Sequence, residues 1–463
     1  MSTRQFKPYP AYKDSGVEWL GEIPGHWEVA PVYSRYEVAL GKMLDAKRIK
    51  GDSGGRYLRN VDVQWDAVNT ENLPEMDFAP GEHDRYLLRP GDMLVCEGGE
   101  VGRTAIWRGE LDECFYQKAL HRVRPLSRQE APRYFYYVMY AWAKGGVFAA
   151  GANANTIDHL TAVQLRHYRF AFPPSREQCA IAAFLDRETA RIDALAAKNE
   201  RLIELLQEKR TALITRAVTK GLPAEAAAEA GLDPNVPMKD SGVEWLRKIP
   251  ARWEMHRIRH VVSWIEQGWS PDCENRQADS DEWGVLKAGC VNRGLFVESE
   301  HKALSTTHRP MPDLEVREGD LLMSRASGSR ELVGSVAVVP KCRPQLLLCD
   351  KVFRLHLREE RATSAFLAYA MNSHIARWQI EVVLSGGGGL ANNIAQDVVK
   401  DILLALPAKD EQHAVAAYLD CETAKIDALV AKVRDAIDRL KEYRIALISA
   451  AVTGRIDVRE EPA

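Results

Sequence analysis

A glycine run at Gly386–Gly389 could bring backbone close to a phosphate, but no lysine follows to grip one, so it is not a nucleotide loop. Pro312-Asp313 followed by Glu315 sets two carboxylates too close together for a nuclease-type metal pair. The FPPS at 172 to 175 lacks the preceding Asn or Asp and the following aromatic residue that a loop for methyl transfer to an amino group needs. There is no HExxH helix and no GxSxG elbow. The eight cysteines, at 96, 114, 179, 273, 290, 342, 349 and 421, form no Cys-x-x-Cys pair. They read as reduced, mostly buried thiols, not as metal ligands. The chemistry left is recognition, and no cofactor or metal is expected.

Side chains suited to holding phosphates or reading hydrogen-bonding edges fall in loops. Lys42, Lys47, Arg48 and Lys50 lie in a glycine-punctuated stretch and could hold phosphates, although a solvated basic loop is the plainer reading. Arg59 and Lys287 stand at matching points of two related segments, which favours a shared backbone contact or structural task over base discrimination. After matching Gly-Asp pairs the sequence diverges into CEGGEVGRT and SRASGSRELVGS. Arg103, Arg325, Ser327, Ser329 and Arg330 are therefore the candidates for base edges, since arginine pairs bidentately with guanine and serine both donates and accepts. Asn153, Asn155 and Thr156 in one small-residue loop, and Asn392 and Asn393 in another, could read adenine or simply form turns.

The elements that would position these residues occur twice. KDSGVEWLGEIPGHWE at 13 to 28 returns as KDSGVEWLRKIPARWE at 239 to 254, an offset of 226. EQCAIAAFLDRETARIDAL from Glu177 returns as EQHAVAAYLDCETAKIDAL from Glu411, an offset of 234. Trp19, Trp27, Trp245 and Trp253 read as structural anchors of the leading motif, with partner docking as the alternative. The repeated unit is far longer than a solenoid repeat, so each copy is expected to be a domain with an attached helix.

The late phrase has a seven-residue apolar rhythm. One line of the seam is Leu185, Ile192, Leu206 and Leu213, and the other is Ile181, Leu195 and Leu202. The second copy has Leu419, Ile426, Val433, Leu440 and Leu447, joined by Val415 and Leu429. Asn199 takes a core position, where it either fixes register or sits partly exposed. A helix of about 43 residues, about 65 Å long, cannot bury its own stripe and needs a partner, most simply the other copy lying antiparallel to it.

The expected fold is α+β, a pseudo-two-fold tandem repeat of two mixed α/β domains separated by two long helices in an antiparallel coiled coil. The divisions are 1–173 for the first recognition domain, 174–220 for the first helix and 221–237 for a linker. The second recognition domain follows at 238–407, the second helix at 408–455 and a tail at 456–463. Strands are expected at 56–63, 92–96, 334–339 and 351–357, with helices over 132–144 and 363–378. Whether the Ala/Glu-rich linker extends the first helix is left open.

At 463 residues the chain exceeds a single core, and 46% apolar with 27% charged residues is ordinary for a soluble protein. No apolar run approaches the roughly 20 residues of a membrane span, and the N-terminus lacks a signal-peptide core, so no membrane partner and a cytoplasmic location are expected. Net charge is -3, and residues 1 to 173 and 238 to 407 each hold 22 basic and 22 acidic side chains. Local clusters or a basic partner would have to do any DNA binding.

The duplicated leading motif, together with the PSREQ after Pro173 and the AKDEQ after Pro407, closely resembles the DNA specificity subunit of Type I restriction-modification systems. The resemblance covers essentially the whole chain in the order recognition region, helix, recognition region, helix. It implies a non-catalytic subunit that reads a bipartite, asymmetric site in double-stranded DNA. It also implies docking of two modification subunits, with restriction subunits joining them, and places the methyl donor and ATP with those partners. The rival reading of the residues is a stand-alone coiled-coil DNA-binding adaptor or regulator.

Overall fold

The two helical phrases form single helices, Ser175–Lys220 of 46 residues and Lys409–Val452 of 44. In the computed structural model, which describes residues 6–44, 54–148, 159–386 and 392–460, they accompany a mixture of strands and shorter helices. The chain divides into two units, residues 1–200 with 434–463 and residues 201–433, so each long helix gives one half to each unit. No described helix is long and apolar enough to cross a membrane.

In the first unit the apolar runs Met93–Cys96 and Leu120–Pro125 sit centrally in a four-stranded antiparallel sheet, between Thr104–Ile106 and Tyr36–Leu40. A three-stranded sheet orders Phe115–Tyr116, Gly54–Leu58 and Glu75–Asp77, the first pair parallel. The second unit has the same orders. Val336–Val338, Leu321–Ser324, Val352–Leu357 and Val262–Gln267 make its four strands, and Leu346–Leu347, Gly284–Leu286 and His301–Ala303 its three. Both units need a glycine where the chain leaves the outer strand. A Cβ on Gly41 would lie 2.2 Å from the Gln117 carbonyl oxygen, and one on Gly268 would lie 2.1 Å from that of Leu348.

Local expectations met physical limits at three places. The strand expected over 56–63 stops at Leu58, because Asp62 accepts from the Arg59 backbone and closes a 3-10 turn over Asn60–Asp62. The helix expected over 363–378 is two, Ser364–Asn372 and His374–Gly386, because the Asn372 amide turns aside to bond the main chain of Val336. The linker does not extend the first helix. Gly221 takes a left-handed φ of 81°, and a separate short helix, Ala224–Glu229, starts after Pro223.

Each long helix is tied to its recognition region by the Glu-Gln at its head. Gln178 is buried; its side-chain oxygen accepts from the Ala131 N–H at 3.0 Å and its amide donates to the Pro173 carbonyl at 3.0 Å. Gln412 repeats this with the Thr363 N–H at 2.9 Å and the carbonyls of Arg361 and Pro407 at 2.8 and 2.9 Å. Glu177 accepts from Tyr9, Trp27 and His26, whereas Glu411 is held by Arg252, the counterpart of His26. Burial is the first cause, and the Glu177 carboxylate the next, that holds the Tyr9 hydroxyl well above its ordinary pKa, so it stays a donor. Tyr137 and Tyr369 add matching bonds to the helices, each donating to an aspartate, Asp186 or Asp420, at 2.7 Å.

Seam residues Leu185, Ile192, Leu206, Leu419, Ile426, Val433, Leu440 and Leu447 are buried, and Leu195, Asn199 and Leu213 are partly so. Leu202 and Leu429 are a correction, being 39% and 44% exposed. Ile181 and Val415 are buried as expected, but farther along the helices the more buried second line lies four residues after the first: Thr189, Ala196, Ile203, Arg210 and Ala217 on one helix, and Thr423, Val430, Ile437, Arg444 and Ala451 on the other. Small and polar residues fill much of that line, so a search for leucines passes it by.

Of the eight cysteines, Cys96, Cys114, Cys290 and Cys349 are buried, while Cys179 and Cys421 are exposed. Burial pushes the Cys96 and Cys349 thiols up to about 11, so both stay protonated at neutral pH. His121 is buried, with Nε2 2.6 Å from the Leu160 carbonyl and Nδ1 without a hydrogen-bond partner among the described residues. Leu160 in turn donates its N–H to Glu97 at 2.7 Å.

Two predictions follow from this packing. Ile426→Ala and Leu440→Ala should each cost about 2–5 kcal/mol in urea denaturation, and Leu202→Ala and Leu429→Ala less than about 0.5 kcal/mol; equal losses would restore the three-residue spacing. Burial lowers the His121 pKa below its ordinary value. The contribution of His121 to stability is therefore complete above about pH 6.5 and is lost as the pH falls below that, because only the unfolded state readily takes the proton. His121→Gln should make the thermal midpoint fall less steeply between pH 7 and 5 than it does for the unaltered chain; an unchanged slope would show that His121 does not titrate on unfolding.

Candidate nucleic-acid interface

In both units the strand that follows the Gly-Asp pair ends in a loop, and a later segment returns to it. The Leu160 N–H reaches the Glu97 carbonyl in the first unit, and the Ile394 N–H reaches that of Arg325 at 2.9 Å in the second. In the second unit two loops far apart in sequence are thereby set side by side.

In the second unit this assembles most of the candidate residues. Ala326 bridges Asn393, the Ser327 N–H donates to the Asn392 carbonyl at 3.2 Å, and the Asn392 amide donates to the Gly328 carbonyl at 3.3 Å. Arg325 donates to the Asp350 carbonyl at 3.0 Å, with its guanidinium 5.8 Å over the Phe353 ring. Ser327 accepts from the Ser329 N–H. Arg330 donates to the Glu381 carbonyl at 3.2 Å and to the Ser385 hydroxyl. Lys287 stands apart from this group, 3.0 Å from Glu300, on the wall of a cleft of about 330 Å³ that also takes in Lys302 and Lys351.

The first unit is arranged differently. Arg103 is directed to the backbone and side-chain oxygens of Asn60 at 3.0 and 2.9 Å, and the Asn60 amide donates to the Gly98 carbonyl at 2.8 Å. Arg59 makes a paired contact with Asp62, both bonds 2.8 Å, which raises the guanidinium pKa. Lys42 donates to the Asp77 carbonyl at 2.7 Å and pairs with Glu82, lowering that carboxyl's pKa. Lys47, Arg48, Lys50, Asn153, Asn155 and Thr156 lie outside the described residues.

Arg59 and Lys287 thus share one fate, each held by a carboxylate close by in the fold, while the divergent residues occupy the paired loops. Asn60 and His121 were missed from sequence because neither is matched between the copies. Gln178 and Gln412 were visible there only as parts of a repeated phrase. Among the described residues no group of His, Cys, Asp or Glu could hold a metal ion.

Comparison with known proteins gives a consistent answer. Residues 38–204 match the family described as the Type I restriction modification DNA specificity domain. The chain is 29% identical over 206 residues to the Type I restriction enzyme EcoEI specificity subunit of Escherichia coli, an alignment spanning 44% of this chain but only 34% of that protein. It is 22% identical over 446 residues to the putative type I restriction enzyme MjaX specificity subunit of Methanocaldococcus jannaschii, covering 95% of this chain and 96% of the relative. A crystal structure of the HsdS subunit from Thermoanaerobacter tengcongensis aligns with a TM-score of 0.52 at 17% identity, covering 94% of this chain and 98% of that one. A chain from a structurally described type I R-M system aligns with a TM-score of 0.61, also at 17% identity, covering 93% and 98%. At these identities the two structures speak for the fold, and the sequence matches for the family. Over residues 38–204 by family model, and over nearly its whole length by relatives of low identity, the chain is similar to the DNA specificity subunits of Type I restriction-modification systems.

Proposed function

We propose that this chain is the non-catalytic reader of a Type I restriction-modification assembly, with each unit's recognition region binding one half of a split, asymmetric site in double-stranded DNA. The observation that carries this reading is one sheet order built twice with different side chains on corresponding loops. A pair of half-site readers needs that combination of common scaffold and separate surface. The likeness to specificity subunits favours it over a stand-alone adaptor or regulator.

The recognition domains are taken as 1–173 and 238–407, the spacer helices as 174–220 and 408–455, with a linker at 221–237 and a tail at 456–463. The two helices pair antiparallel as a coiled coil with pseudo-two-fold symmetry. Two ion pairs support this. Arg444 holds Asp193 at 3.0 Å within the first unit, and Arg210 holds Asp427 at 3.2 Å within the second. Going forward on the first helix from 193 to 210 goes back on the second from 444 to 427, as antiparallel helices require. The members of one pair are also the counterparts of the other at the offset of 234, the isologous relation expected of a two-fold axis.

Two modification subunits dock on this scaffold and restriction subunits join them, in the cytoplasm; those partners supply methyl donor and ATP. Arg325, Ser327, Ser329, Arg330, Asn392 and Asn393 form the base-reading surface of the second unit. In the first unit Arg103, Asn153, Asn155 and Thr156 do so. Lys42, Lys47, Arg48, Lys50, Arg59 and Lys287 hold phosphates, for which Lys42, Arg59 and Lys287 must exchange their carboxylate partners.

The test is the affinity of the assembled methyltransferase for cognate and singly mismatched duplexes at two salt concentrations. Arg325→Ala or Arg330→Ala should cost about 1–3 kcal/mol and relax specificity at one position of one half-site. Uniform weakening with a shallower salt dependence would reassign them to phosphates. An unchanged profile for both would remove this loop from the interface.

A further inference from the structure

The two units differ where a recognition region meets a long helix. In the first, Trp65 sits at the turn between Val63–Gln64 and Ala67–Val68, its ring 4.8 Å from Tyr140 and 6.2 Å from Tyr136. Its indole N–H donates to Glu100 at 2.9 Å, and Lys144 lies over both Trp65 and Tyr140. Arg444, from the second long helix, lies 4.9 Å over the Tyr140 ring. The unit's own aromatic side chains fill this junction.

The second unit has the same turn, between Val291–Asn292 and Leu295–Phe296, with Arg293 at the place of Trp65. The matched tyrosines Tyr137 and Tyr369 align the following helices, so Ala368 and Asn372 stand for Tyr136 and Tyr140. Arg293 goes to Glu331 at 3.0 Å, and the Asn372 amide folds back onto the Val336 and Ala368 carbonyls at 2.6 and 2.7 Å. An open groove of about 880 Å³ runs there between the Glu204–Lys220 face of the first long helix and Arg293 and His374. Thr215 lines it, with its hydroxyl oxygen buried and without a partner among the described residues.

We propose that this groove receives an aromatic side chain of the modification subunit docked at the second unit, beside Arg293, in the place that Trp65 fills in the first. The inference rests on the reading above that the chain docks modification subunits, and it makes the two docking positions unequal. The first unit is the template: the same turn, helix and hairpin close over tryptophan and tyrosine. Arg293 and Arg216 can lie over an incoming ring as Lys144 and Arg444 do in the first unit, and Thr215 can take an indole N–H or a phenol hydroxyl. An aromatic anchor in such a pocket is also the kind of contact on which affinity concentrates.

The test is calorimetric titration of the full chain with the modification subunit of the same system. The unaltered chain should take two copies. Arg293→Trp combined with Asn372→Tyr, which rebuilds the first unit's filling, should weaken one of the two sites tenfold or more and leave the other unchanged. Ala212→Trp, a plug from an exposed position of the long helix, should do the same and covers the case in which the double variant does not fold. If the unaltered chain binds no modification subunit, the docking role itself is overturned. If it binds two and the folded plugged variants bind both as before, this inference alone is overturned.

Discussion

A buried carboxylate and a buried carboxamide, Glu177 and Gln178 in one unit and Glu411 and Gln412 in the other, stand at the head of a long helix and gather separate stretches of chain onto it. Burying such groups is costly unless each finds partners. The amides find theirs almost entirely in main chain: the N–H of Ala131 or Thr363 and the carbonyls of Pro173, or of Arg361 and Pro407. Because main-chain groups are offered whatever the side chain, the anchor holds while the region it anchors changes sequence. This is the physical ground for two dissimilar readers on one scaffold.

The carboxylates show how far partners drift around a fixed point. Glu177 accepts from the indole N–H of Trp27, but Glu411 is drawn to Arg252, and the Trp253 indole N–H is left buried without a partner among the described residues. The same carboxylate position takes a phenol, an indole and an imidazole in one unit and a guanidinium in the other. The leading motif is therefore preserved for packing, with Trp27 and Trp253 both fully buried, more than for one hydrogen-bond pattern.

Much of this was legible in sequence, because duplication exposes what both copies need: the Glu-Gln phrase, the buried tryptophans, the long helices and the helix at 132–144. The second seam line was not, since Thr189, Ala196 and Arg210 carry no apolar signal. Nor was the state of Lys42, whose partner Glu82 is brought to it by the fold from forty residues away. The proximity of Asn392 to Ser327 was equally hidden, since it depends on a return of chain to the strand end that no local pattern announces. The break at Ser373 follows from a single asparagine turning to the hairpin, a tertiary event inside a stretch with helical composition.

The recognition region of the first unit is closed by one ladder, Glu28–Pro31 against Arg169–Phe172, so residues 29 to 170 leave and re-enter the scaffold at adjacent points. The most direct measurement is to exchange residues 29 to 170 for the corresponding region of a relative and map methylated sites in DNA modified by the assembled enzyme. The expected result is a split site in which one half is new, the other is unchanged and the spacing between them is kept. A site altered in both halves, or a changed spacing, would contradict two separate readers on a common helical frame.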